Sequence, residues 1–192
     1  MANDDANVPT TPPTDDKDWT WVLDTACPEC GFVAKSVPGP QLAGLLRQTA
    51  ALWQLALAGP EVRQRPAPEV WSTLEYASHC RDVYRLFGTR LRLLLEQDDP
   101  QFANWDQDAT AVEMRYWAGD PAVVAVELAA AAESTAQAFD GVSGEQWSRS
   151  GRRSNGSVFT VETLGQYLLH DLVHHLHDVG QPLETVDSAL GD

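Results

Sequence analysis

Apolar side chains recur every three to four residues in four separate stretches of the chain, and no stretch alternates apolar with polar as a half-buried strand would. The first stretch predicts a helix from Pro40 to Ala58, with Leu42, Leu45, Leu46, Thr49, Leu52, Trp53 and Ala56 on its inward stripe. Proline suits a first helical position, and Gly59-Pro60 ends the pattern. The proline-bearing link EVRQRPAPEV leads to a second helix, opened by a capping box of Ser72 and Glu75 and running to Gln97. A long connection, DDPQFANWDQDATAVEMRYWAGDP, has room for a short helix from Asp106 to Tyr116. Asp120-Pro121 pairs a cap with a proline at the first position, and so opens an alanine-rich third long helix that ends before Gly141. The polar segment GVSGEQWSRSGRRSNGSVF reads as an exposed loop. Thr160 then caps a fourth long helix, which stops at Gly180.

Four long helices and no strands predict an all-α fold, a four-helix bundle over residues 38–182, with long connections that allow a crossover. Residues 1–17, rich in Pro, Asp and Thr, predict a disordered acidic tail. Residues 18–37 form a cysteine-bearing N-terminal segment, and 183–192 a C-terminal tail.

At 192 residues the chain suits one domain with a full hydrophobic core. It carries 13 Lys and Arg against 28 Asp and Glu, a formal charge of −15. About −4 of this belongs to the first 18 residues, which hold five aspartates and one lysine. That charge repels phosphate backbones and anionic membranes, so neither nucleic acid nor a lipid surface is an expected partner. No uninterrupted apolar run approaches membrane-spanning length, and no basic-then-apolar leader opens the sequence. Three cysteines, an odd number, do not suggest a disulfide framework. A cytoplasmic protein is expected. Bundles commonly pair through a helix face, so a homodimer stays open.

The chemistry concentrates in LLHDLVHHLHDV, residues 168–179, which holds four of the five histidines. His170 and His174 are one helical turn apart on one face and can reach one metal ion. A catalytic metal site usually takes three protein ligands and leaves a position open. The fifth histidine, His79, is the candidate third ligand. On a helical wheel Tyr76, Val83, Leu86, Leu93 and Leu94 fall within about 60° of it, so it sits on the inward face. A histidine there is more often a hydrogen-bonded core residue, and His174 with His177 is a competing pair. His175 points elsewhere and reads as a surface or supporting residue. Asp82 and Asp178 stand near these histidines in sequence, either orienting them or as ordinary surface carboxylates. Cys27-Pro-Glu-Cys30 fits a redox pair, half of a zinc knuckle, or two reduced thiols in a loop, and Cys80 is the remaining cysteine. Arg149, Arg152 and Arg153 form a solvated cluster or meet a small acidic substrate.

The segments WSTLEYASHCRDV, NWDQDATAVEMRY and YLLHDLVHHLHDV, in that order within residues 38–180, resemble the DinB/YfiT-like superfamily, which includes the mycothiol-dependent maleylpyruvate isomerases. The resemblance implies a DinB-like four-helix bundle with a three-histidine site for zinc or nickel. It places the metal ligands at His79, His170 and His174 and sets His177 aside. CPECGF is not part of the common motif. Members with an assigned activity are mostly thiol-dependent transferases or isomerases. The resemblance therefore implies a divalent-metal enzyme that takes a low-molecular-weight thiol such as mycothiol and an electrophile. A metal held by neutral imidazoles keeps its charge, and a bound thiol, ordinarily titrating at about 8.5, then ionises near neutral pH. Two other readings stay open: a non-catalytic protein whose metal is structural, with Cys27, Cys30 or Cys80 as a fourth ligand, and a thiol-disulfide role for Cys27 and Cys30.

Overall fold

The computed structural model describes residues 18–181 together with Pro9 and Pro12. The expected tails, 1–17 apart from those prolines and 183–192, lie outside the described residues. Five α-helices run in order: α1 Leu42–Leu57, α2 Thr73–Glu96, α3 Gln107–Glu113, α4 Pro121–Asp140 and α5 Val161–Asp178. Each long helix after α1 begins where its cap chemistry directs. Ser72 Oγ accepts from the Glu75 N–H while Glu75 accepts from the Ser72 N–H at 2.9 Å. Asp120 accepts from the Ala122 N–H at 2.8 Å, and Thr160 accepts from the Thr163 N–H at 3.1 Å.

Both α1 and α2 pack against α4 and α5 and make only slight contact with each other. The two sequence neighbours therefore lie diagonally across a four-helix bundle, and the short α3 sits on the connection outside it. Trp53, Leu46, Leu74, Leu91, Leu128 and Leu168 are fully buried between the helices, each contributing about 1.5–3 kcal/mol by its transfer from water. One polar knot in this core is satisfied: the Tyr84 and Thr49 hydroxyls lie 2.7 Å apart, both beside the Leu46 carbonyl oxygen.

By length and composition α4 could cross a membrane, an exception to the expectation above. Here it is a bundle helix, with Val124, Leu128, Ala132, Ala136 and Phe139 buried. Its exposed face carries alanines and the valines Val123 and Val126, with Glu133, Ser134, Gln137 and Asp140 toward its end.

Close approach at the α1–α4–α5 junction depends on Gly165. A Cβ there would overlap Leu42 Cδ1 and stand 2.9 Å from Cε1 of Phe139, both core side chains. We expect Gly165→Ala to cost about 1–3 kcal/mol of stability, measured by chemical denaturation. Unchanged stability would show that the junction has slack.

One expectation is corrected. The segment 141–159 contributes strands as well as a loop: β2 Ser150–Arg153 pairs antiparallel with β3 Val158–Thr160 and parallel with β1 Gln101–Phe102. Strands of two to four residues are too short to show an alternating pattern, and β2 is built from Ser, Gly and Arg. All three arginines have structural partners, Arg153 donating to Asn155 at 3.0 Å and to Ser157 at 3.1 Å. Arg149 donates to the Leu94 and Gln97 carbonyls at 2.7 and 2.6 Å, closing the C-terminal end of α2. Arg152 pairs with Asp99 at 2.7 Å. Arg153 faces a cavity described below.

Residues 18–37 lie against α5 through short 3-10 turns at Trp19–Leu23 and Ala34–Ser36. Val22, Cys27, Phe32, Ala34 and Val37 are buried there, and the Gln166 amide donates to the Val37 carbonyl at 2.8 Å. This segment is thus part of the core.

Candidate metal centre

Two adjacent stripes of α5 carry the chemistry, one residue and about 100° apart. His170 and His174 form one stripe, and Asp171 and His175 the other. Different elements cover them: residues 18–37 lie on the first, and α2 on the second. Both stripes border a cavity of about 680 Å³, walled by Trp19, Trp71, Tyr76, Trp105 and Tyr167, with Asn104, Asn155 and Arg153 among its polar residues.

On the α2 side, donor atoms of His79, Asp171 and His175 all lie within 4.8 Å of one another. His79 Nε2 is 3.3 Å from Asp171 Oδ1, and His175 Nε2 is 3.7 Å from that same oxygen. The His175 Nδ1 lies 2.8 Å from Asp178 Oδ2; with its proton donated there, the Nε2 lone pair is left to ligate a metal beside Asp171. His79 is fully buried, stacked on Trp105 at 5.3 Å and flanked by Trp71 at 5.5 Å. Burial pushes its pKa down, against the pull of Asp171, so the imidazole is neutral. Burial pushes the Asp171 carboxyl up, but the hydrogen bond from His79 outweighs it and holds the carboxyl low, at about 2. Neutral imidazole and ionised carboxylate are the forms that ligate a metal. His79 Nδ1 is buried with no hydrogen-bond partner among the described residues. Two histidines and a carboxylate beside a cavity suit a catalytic divalent metal with an open position.

On the other side, donor atoms of Cys27, Cys30, His170 and His174 also lie within 4.8 Å of one another, and all four residues are buried. Cys27 Sγ is 3.7 Å from His174 Nδ1. The opposite nitrogen of His174 faces Glu29 at 3.5 Å and Asp178 at 3.9 Å. Burial lowers the His170 pKa to about 4 and pushes the Cys30 thiol up to about 12.

The three histidines expected to share one metal are thus divided between two groups. His79 stands with Asp171 and His175; His170 and His174 stand with the cysteines. Reading the residues for histidine pairs missed the Asp171–His175 pair, which has the same spacing one position along. Asp178, three residues after His175, was the available signal for it. Of the remaining residues, His177 is half exposed and Cys80 is buried on α2. Asp82 does not orient these histidines; it accepts from Arg81 at 2.8 Å and from the Tyr116 hydroxyl at 2.7 Å.

The family profile of the DinB superfamily matches residues 44–179, which hold α2 and α5 but not CPECGF. Among solved structures the chain is similar to YfiT from Bacillus subtilis, described as a probable metal-dependent hydrolase with an unusual four-helix bundle topology. The TM-score is 0.65 at 16% identity, covering 80% of this chain and 87% of that one, a likeness of fold. No curated protein matches. With the profile spanning all four long bundle helices and the fold shared, the chain belongs to the DinB superfamily.

Proposed function

We propose that this protein is a metal-dependent enzyme, with the metal held by His79, Asp171 and His175, that transfers or isomerises through a small thiol of the mycothiol type. The observation carrying this reading is a three-donor group, two of whose members, Asp171 and His175, line a cavity large enough for organic ligands. A divalent cation bound there supplies the charge that lets a thiol or water ionise near neutral pH. The protein's own residues do the rest. Trp71 and Trp105 fix the His79 ring and keep water from its buried face. Asp178 fixes the tautomer of His175. Asp171 offsets one unit of cationic charge. Arg153, held by Asp18 at 3.3 Å, offers a cation on the cavity wall for an acidic group of the thiol or the electrophile.

A second reading is hydrolysis at this centre. Two histidines with one carboxylate is a donor set used by zinc hydrolases, and the description of YfiT points the same way. One experiment separates them. Metal-loaded protein is assayed with low-molecular-weight thiols and a panel of electrophiles, and in parallel with amides and esters, beside His79→Ala. The expected result is conjugation or thiol-dependent isomerisation that His79→Ala abolishes. Metal-dependent turnover of esters or amides without thiol would establish the hydrolase instead. Wild-type rates in His79→Ala would overturn both.

A further inference from the structure

We propose that Cys27, Cys30, His170 and His174 form a second metal site, a closed four-ligand zinc site that fastens residues 18–37 to α5. It uses none of the three residues of the centre above and does not rest on that reading.

The donor set comes first. Two thiolates and two imidazoles make one of the standard tetrahedral zinc environments, and the two thiolate charges balance those of the cation, which suits a buried site. Geometry agrees. With a metal–sulfur distance of about 2.3 Å and metal–nitrogen of about 2.0–2.1 Å, sulfur and nitrogen on one tetrahedral ion stand roughly 3.6 Å apart. Cys27 Sγ and His174 Nδ1 stand 3.7 Å apart. The backbone folds into the turn that brings both sulfurs to one point. The Gly31 N–H donates to the Cys27 carbonyl at 2.8 Å, the Cys27 N–H donates to the Phe32 carbonyl at 2.9 Å, and Gly31 adopts φ +75°. Only glycine takes that conformation without strain.

The imidazoles point to a ligand independently. His170 is 4% exposed, and its Nε2 is buried without a hydrogen-bond partner among the described residues. A buried polar atom left this way is costly, and a cation removes the cost. His174 directs Nδ1 at the sulfur and Nε2 toward Glu29 and Asp178, the carboxylate–histidine arrangement that supports metal ligands. The site also explains Cys27 and Cys30 better than a redox pair does, since they are 1% and 6% exposed whereas reactive cysteines are partly accessible. Four protein ligands leave no open position, so the role is structural. The site would hold Trp19 and Glu29 in place as cavity wall. Asp178 links the two sites, with one oxygen toward His174 and the other on His175.

The test is cobalt substitution and metal analysis of the full chain. Cobalt-loaded wild-type protein should show the intense near-ultraviolet thiolate-to-cobalt band, kept in His79→Ala and lost in Cys27→Ser and Cys30→Ser. Metal content should fall by about one per chain from wild type in Cys27→Ser and in Cys30→Ser, whatever the first centre holds. The wild-type spectrum decides even where a serine variant fails to fold. No thiolate band in the wild type, or a Cys27–Cys30 disulfide in protein purified with reductant, would overturn the site. A band that disappears in His79→Ala would put the sulfurs and His79 around one ion, and would also overturn it.

Discussion

Asp171→Asn should lower kcat/KM by roughly 10³-fold or more while leaving the melting temperature nearly unchanged, because a bound metal contributes several kcal/mol to the transition state and each 1.36 kcal/mol is tenfold. Asparagine preserves the shape of the side chain and removes its charge. Asp171 Oδ1 is the atom that both His79 Nε2 and His175 Nε2 approach, so it is the hinge of the proposed three-donor group. Losing the carboxylate weakens the hold on the cation and the fixed negative charge beside it. The measurement is steady-state kinetics with the best substrate found, together with metal content and thermal unfolding of the same preparation. Full activity in Asp171→Asn would return the active centre to His79, His170 and His174. The size of the loss therefore decides which stripe of α5 carries the chemistry.

That question could not be settled on the sequence, for a physical reason. An α-helix repeats every 3.6 residues, so HxxxH at 170/174 and DxxxH at 171/175 are equally good pairs on stripes about 100° apart. Choosing between them requires the identity of each stripe's partner, which is a matter of packing. The helix ends were legible because caps are local: Ser72 with Glu75, Asp120 with Pro121, and Thr160 open helices as their sequences imply. The bundle was legible from the apolar period of the four long helices. The diagonal placement of α1 and α2 was not, since a short link between long helices ordinarily makes them neighbours. The placement of CPECGF beside His170 and His174 was hidden because those residues lie about 140 residues away. The small sheet was hidden too, since its strands are two to four residues long and the β1–β2 pairing joins residues 101–102 to 152–153.

The largest expected loss of stability away from the metal ligands is at Arg65. Its guanidinium grips Glu75, with Nε donating to Oε2 at 2.9 Å and Nη2 to Oε1, and Nη1 donates to the Pro68 carbonyl at 2.8 Å. Glu75 is 2% exposed and also accepts from the Ser72 N–H and hydroxyl at 2.9 and 2.7 Å. This one carboxylate therefore joins the α1–α2 link to the first turn of the helix that carries His79, beside the cavity residues Trp71 and Tyr76. Arg65→Ala leaves a buried carboxylate with only Ser72 to compensate it, which should cost about 3–5 kcal/mol. For a chain this size that lowers Tm by roughly 6–20 °C. Replacing both partners by apolar residues should cost much less than Arg65→Ala, because no charge is then stranded. The pH dependence has a definite sign. Burial pushes the Glu75 carboxyl up, but the hydrogen bonds from Arg65 and Ser72 outweigh it and hold the folded-state pKa below the unfolded value of about 4.3. The contribution of the pair is complete above that value and is lost as pH falls through the folded one. Thermal melts at neutral pH and below pH 4 should show the gap between wild type and Arg65→Ala narrowing in acid. A gap that is small at neutral pH, or that widens in acid, would mean the ion pair does not hold this end of α2, and the cavity wall would then rest on Trp71 packing alone.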